Sequence, residues 1–113
     1  ITGTLRDKNM SALELALNLH PTPAVCGTPL HAAEDLISSV ETDRGFYSGA
    51  VGWCTSDGDG EYMVAIRCAE IAAGGASARA WAGGGIVASS SADKELAETT
   101  AKLRTIMRAL GLQ

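Results

Sequence analysis

Large aromatic side chains are scarce in this 113-residue chain: two tryptophans, two tyrosines and one phenylalanine amount to 4% of it. So few bulky anchors leave little to close a core on, which predicts that the chain packs against further polypeptide. Basic residues are in the minority, nine against thirteen acidic ones, for a formal charge of −4. That balance lacks the lysine and arginine footprint that holds nucleic acid or an anionic membrane, so neither is expected as a partner. No apolar run reaches the ~18 residues of a membrane span, and no charged-then-apolar leader stands at the start, so the expected location is the cytoplasm. Cysteine is limited to Cys26, Cys54 and Cys68. An odd count without a C-x-x-C pair speaks against a disulfide framework or a thiolate metal site, and fits buried thiols in a reducing compartment. Cys54 and Cys68 could still face each other across a hairpin. An initiating methionine is missing as well: Ile1-Thr2-Gly3-Thr4-Leu5 alternates like a strand from its first residue, with no turn signal ahead of it, as expected of a piece of something longer.

What is present reads as part of one soluble globular domain, with 46% hydrophobic residues. Ser11 and Glu14 have capping-box spacing, and Leu13, Ala16, Leu17 and His20 recur at helical period until Pro21, which predicts a helix over 11–19. Two prolines keep the following stretch, Pro21 to Gly27, extended and non-helical. Thr28 as cap and Pro29 at the first helical position open a second helix, with Leu30, Ala33, Ile37 and Val40 as its stripe, running to about Thr42 and closed by Gly45. From Tyr47 the period changes to two, through Val51 and Trp53, then Tyr62, Val64 and Ile66, then Ala78, Ala80 and Ala82. Asp57-Gly58-Asp59-Gly60 and Ala73-Gly74-Gly75-Ala76 are the turns between three antiparallel strands. Leu96, Leu103, Met107 and Leu110 mark a last helix from about Ala92 to Leu110, capped by Ser90 or Ser91. The expected order is β-α-α-β-β-β-α, an α+β class in which antiparallel strands pack with helices.

Charge and glycine single out the residues that could carry chemistry. Glu95, Glu98 and Lys102 fall on one face of the last helix beside the leucine stripe. Two carboxylates suit a hard divalent cation such as Mg²⁺, which takes one or two protein oxygens and completes its octahedron with water and substrate. The lysine would meet a bound carboxylate as a point charge. Equally, Glu98 and Lys102 are an i,i+4 pair in the favourable order, which a solvated helix uses for itself. Arg67, on the predicted strand Glu61 to Cys68, can fork onto a carboxylate or simply lay its stem along the surface. Tyr47 is a core-edge residue or a hydroxyl donor. Gly83-Gly84-Gly85-Ile86-Val87-Ala88 has the letters of a dinucleotide loop, but no βαβ unit follows it. Its consecutive glycines still allow backbone amides to approach an anion, or make a flexible turn. Asp57-x-Asp59-Gly60 lacks the glycine placement and closing glutamate of a calcium loop, and neither His20 nor His31 has a cluster around it.

Taken together, the blocks Leu19-His20-Pro21-Thr22-Pro23-Ala24-Val25-Cys26-Gly27-Thr28-Pro29, Gly45-Phe46-Tyr47-Ser48-Gly49-Ala50-Val51-Gly52-Trp53, Ala65-Ile66-Arg67, Gly83-Gly84-Gly85-Ile86-Val87 and Glu95-Leu96-Ala97-Glu98-Thr99-Thr100-Ala101-Lys102 resemble the C-terminal part of the chorismate-utilising enzymes, nearest to the isochorismate synthases. The resemblance covers nearly the whole chain. It implies that residues 1–113 are an incomplete chorismate-binding domain of the anthranilate synthase component I-like fold. It implies further that Glu98 ligates Mg²⁺, that Glu95 supports the metal directly or through water, and that Lys102 and Arg67 hold the substrate's carboxylates. Tyr47 matches the tyrosine that hydrogen-bonds the enolpyruvyl carboxylate, and Gly83 a glycine whose amide faces it. Ala24 stands where siblings that expel pyruvate, the salicylate and anthranilate synthases, carry threonine, so isochorismate is the implied product, for siderophore or quinone synthesis. Gly84 and Cys26 depart from the family's usual alanine and its glycine or serine.

The family's general base, general acid and second metal-binding glutamate match nothing in this sequence and are expected upstream. The piece alone is therefore expected to be inactive, to need the remaining N-terminal part of its own enzyme as partner, and to self-associate through the surface that part would cover. A salicylate-forming sibling and a non-catalytic binding or assembly module are the competing readings. Retention of Glu95, Glu98, Lys102 and Arg67 argues against the second.

Overall fold

The computed structural model describes residues 2–112, in two compact units, one through Ala65 and one from Ile66 onward. The order is α1 (Ala12–Leu19), α2 (Leu30–Val40), β1 (Ala50–Cys54), β2 (Gly60–Val64), β3 (Ala69–Ile71), β4 (Ala78–Ala80) and α3 (Ala92–Ala109). The class is α+β, with strands paired antiparallel. The predicted strand at the N-terminus does not form: Thr2–Leu5 lie in no strand, and Ile1 is outside the described residues. A strand requires a neighbour for its N–H and C=O groups, and none of the described chain supplies one.

In the first unit, α1 begins with the full capping box. Glu14 N–H donates to Ser11 Oγ at 3.2 Å, and Ser11 N–H donates to Glu14 Oε2 at 2.8 Å. These bonds hold the Glu14 carboxyl below its ordinary range. The helix is tied to the hairpin through Ala12 N–H, which donates to Gly58 O at 2.8 Å. Gly58 turns the chain at φ 92°, a conformation that a side chain would resist. The β1–β2 register pairs Ala50 with Val64 and Cys54 with Gly60, so Tyr62 and Val64 face α1 while Val51, Trp53 and Met63 project to the other side. That other side is open, with Trp53 57% exposed.

The second helix differs from expectation at both ends. Pro29, not Thr28, is the capping residue, extended at ψ 145° with no side-chain cap, and its carbonyl takes the first helical bond from Ala33 N–H at 3.1 Å. Two residues before the expected end, the chain leaves α2 at an extended Glu41, whose carboxylate forks onto Arg44. Gly45, at φ 54°, belongs to the turn that follows.

In the second unit, β3 and β4 form their own two-stranded ladder around the Ala73–Ala76 turn, with Ala69 opposite Ala80 and Ile71 opposite Ala78. The short β3 escapes a sequence pattern because three residues are too few for alternation to register. One three-stranded sheet is therefore replaced by two hairpins. The long helix α3 runs as expected, but its covered stripe is different. Glu95, Thr99, Lys102, Leu103 and Ile106 are the partly or fully covered positions, whereas Leu96 is 68% exposed. Ile106 is the one buried apolar side chain among the described residues. All three cysteines are free thiols, Cys54 exposed, and among the described residues no helix is long and apolar enough to cross a membrane.

Candidate active site

The face of α3 that this chain covers includes two charged residues, Glu95 and Lys102. Lys102 sits 26% exposed with its Nζ donating to the Gly83 carbonyl at 2.9 Å and to Glu98 Oε1 at 2.6 Å. The first bond spans nineteen residues and fixes the glycine loop against the helix; the second is the i,i+4 pair legible in the sequence. The Lys102 ammonium, through its hydrogen bond first and its charge second, holds the Glu98 carboxyl below the usual glutamate range. One turn earlier, Glu95 lies in the first turn of the helix, where the backbone dipole favours an anion. Its Oε1 accepts from Ser90 Oγ at 2.6 Å, and Ser90 Oγ in turn accepts from Val87 N–H at 3.1 Å. Its other oxygen closes on the loop: a Cβ added to Gly84 would stand 2.8 Å from Glu95 Oε2.

Gly83, Glu95, Glu98 and Lys102 are thus gathered at one place in the second unit. Gly83 meets Lys102 through its carbonyl. Glu95 and Glu98 each spend one oxygen on a protein donor, Ser90 and Lys102 respectively. Two carboxylates one turn apart are the donor type and number that a hard divalent cation takes from a protein. They do not form a complete cage: among the described residues no group of three acidic, histidine or cysteine side chains could hold a metal alone. Water and an anionic substrate, or a further carboxylate, have to complete such a site.

Arg67 is not on a strand. β2 ends at Val64, and Arg67 turns in the left-handed region at φ 52°, exposed, before β3 begins. The apolar run through Ile66 read as one long strand because alternation continues past the point where pairing stops. Among the described residues no hydrogen bond or ion pair links Arg67 to the α3 cluster.

Ala24 and Tyr47 belong to the first unit. Ala24 is exposed on a turn closed by Val25 N–H and Cys26 N–H, both donating to Thr22 O at 3.1 Å. Tyr47 is half-buried, its ring 5.8 Å from the Arg44 guanidinium carbon. Arg44 is the residue that sequence reasoning passed over. It is 23% exposed, and its Nε and Nη2 donate to the two Glu41 oxygens at 2.7 Å each. Its Nη1 donates to Val25 O at 2.9 Å and to Ser48 Oγ at 3.3 Å. The fork holds the Glu41 carboxyl below its usual range and pushes the Arg44 guanidinium above its own. Glu41 and Arg44 at i,i+3 were a visible signal; the bond to Val25, nineteen residues away, was not. The sequence offers Ser90 as a helix cap. It is instead the donor that orients Glu95, while Ser91 caps the helix through its backbone alone.

Known proteins match along the length of the chain. The MenF protein of Mycobacterium tuberculosis is 58% identical over 113 residues, which are 100% of this chain and 30% of that protein. Isochorismate synthase DhbC of Bacillus subtilis is 56% identical over 99% of this chain and 28% of its own length. The crystal structure of DhbC from Bacillus anthracis superposes with a TM-score of 0.88 at 49% identity, over 98% of this chain and 29% of that one. The chain therefore spans less than a third of the length of these relatives. Residues 1–111 match the family described as chorismate binding enzyme. With the match running through both the Tyr47 region and the Glu95–Lys102 helix, the chain belongs to the chorismate binding enzyme family.

Proposed function

We propose that the longer enzyme to which these residues contribute converts chorismate to isochorismate with Mg²⁺, and that this chain supplies binding and orientation, not proton transfer. The observation that carries the reading is Lys102, a partly covered ammonium fixed by the Gly83 carbonyl on the same helical face as two carboxylates. Chorismate is a dianion, and a productive site for it requires fixed positive charge. In this role Lys102 pairs with a substrate carboxylate, sharing its donors between Glu98 and the ligand, and Arg67 provides the second cation. Tyr47 donates its hydroxyl to the enolpyruvyl carboxylate, which the Gly83 amide also faces. Glu98 holds the metal and Glu95, oriented by Ser90, supports it directly or through water. Bound Mg²⁺ would supply a compact positive charge that orients a substrate carboxylate. The reaction adds water to one ring carbon and expels hydroxide from another, with a general acid and a general base from outside this chain. Ala24, small and exposed on its turn, leaves the site without the hydroxyl that accompanies pyruvate loss in sibling enzymes.

The relatives support this reading by name, as isochorismate synthases of which this chain covers part. The exposure of Phe46 (92%) and Trp53 supports a surface that the rest of the enzyme covers. Incubation of the longer enzyme with chorismate and Mg²⁺, followed by product separation, tests it: isochorismate without pyruvate is expected. Pyruvate with salicylate as the main products would shift the assignment to the salicylate-forming sibling, and no turnover of chorismate would end it. The 113-residue chain by itself is expected to leave chorismate unchanged.

A further inference from the structure

Arg44 lies between the two first-unit residues that the proposed function places on the substrate. Its Nη1 binds the carbonyl of Val25, the neighbour of Ala24, and the hydroxyl of Ser48, the neighbour of Tyr47. Its guanidinium stands 5.8 Å from the Tyr47 ring centre, and Tyr47 N–H donates back to the Arg44 carbonyl at 2.9 Å. A cavity of about 490 Å³ is lined here by His20, Cys26, Arg44, Tyr47 and Ser48 among others. An arginine in such a place could itself be the anion-binding group. Its hydrogen-bond inventory argues otherwise: of five N–H groups, four are already directed at protein acceptors, two of them at a carboxylate that neutralises the charge.

The geometry points to Arg44 as a positioning residue, a fork clamped by Glu41 that sets the Ala24 turn and the Tyr47 ring at a fixed separation for the substrate they share. This rests on the proposed function. A lysine cannot replace the clamp, because one ammonium cannot reproduce the planar fork that reaches a carboxylate, a carbonyl and a hydroxyl together. Loss of register by about 1 Å at groups that orient a substrate costs on the order of 100-fold in rate.

The test is a kinetic cycle on the longer enzyme with Arg44→Lys, Tyr47→Phe and the double variant. Arg44→Lys is expected to raise KM and lower kcat/KM by about 100-fold, and the double variant to lose less than the product of the two single losses, because Arg44 acts in part through Tyr47. Losses that multiply, or an Arg44→Lys enzyme with unchanged KM and a lowered melting temperature, would show a merely structural arginine and overturn the inference. Should Arg44→Lys fail to fold, Glu41→Gln carries the same cycle, since it releases the clamp from a more exposed position. An unsubstituted enzyme that does not turn over chorismate would overturn the proposed function itself. An active one with multiplying losses would overturn the clamp alone.

Discussion

Replacing Lys102 by alanine in the longer enzyme separates a substrate-binding ammonium from an ordinary helix salt bridge. In the structure the side chain makes two contacts, to the Gly83 carbonyl at 2.9 Å and to Glu98 Oε1 at 2.6 Å. Neither is a large source of stability. Glu98 is 56% exposed, so water solvates its carboxylate once the partner is gone, and the Gly83 carbonyl lies in an exposed loop where water replaces the lysine. The melting temperature should therefore change little. Binding is another matter: a charge-assisted hydrogen bond to a substrate carboxylate is worth about 1.5 to 3 kcal/mol, so kcat/KM should fall about 10- to 150-fold. The assay is steady-state conversion of chorismate at saturating Mg²⁺, with thermal melting of the same preparations. Glu98→Gln serves as comparison. It removes the same ion pair but leaves the ammonium, and because Glu98 is itself proposed to hold Mg²⁺ the comparison is read in the melts, where matching small shifts show that the pair adds little stability. Unchanged KM and kcat in Lys102→Ala would remove Lys102 from the site and with it the strongest support for the proposed function.

The Glu41–Arg44 fork predicts a pH dependence. Its depressed Glu41 pKa means a stability contribution that is full above the ordinary glutamate value and is lost as pH falls through the lower folded value. Glu41→Gln should flatten that acid limb in urea unfolding, and an identical pH profile would refute it. Gly84→Ala should fold and keep turnover, because the new methyl meets only the end of the flexible Glu95 side chain, 2.8 Å away, which can shift by a few tenths of an ångström. A crystal structure with Glu95 unmoved, or a variant that fails to fold, would contradict this. Ala24→Thr, at an exposed turn position, should leave the melting temperature unchanged and raise the fraction of turnovers that release pyruvate. A coupled pyruvate assay showing no increase would exclude residue 24 from product choice.

Much of what the sequence made legible is local. The Ser11–Glu14 capping box, the turn at Gly58 and the Glu98–Lys102 pair all join residues three or four apart or within one tight turn. Strand extent was harder to read. Alternation continues from β2 through Ile66 toward Arg67, but a strand ends where its partner's backbone ends, and Arg67 is turned away at φ 52°. The same reasoning explains Thr2–Leu5, a strand-like pattern with no neighbour among the described residues.

The order of residues alone determined the α+β class, the helical face shared by Glu95, Glu98 and Lys102, and the family resemblance, because periodicity and motif spacing are properties of the chain at short range. Tertiary structure decided which of those groups are held and by what. Lys102 reaches the Gly83 carbonyl, and Arg44 the Val25 carbonyl, each across nineteen residues. Contacts of that separation depend on the path of the backbone between them, which no local pattern encodes. The covered stripe of α3 follows the same rule: it runs through Glu95, Lys102 and Ile106, not Leu96, because the position of the glycine loop, more than hydrophobicity, chose the face that this chain covers.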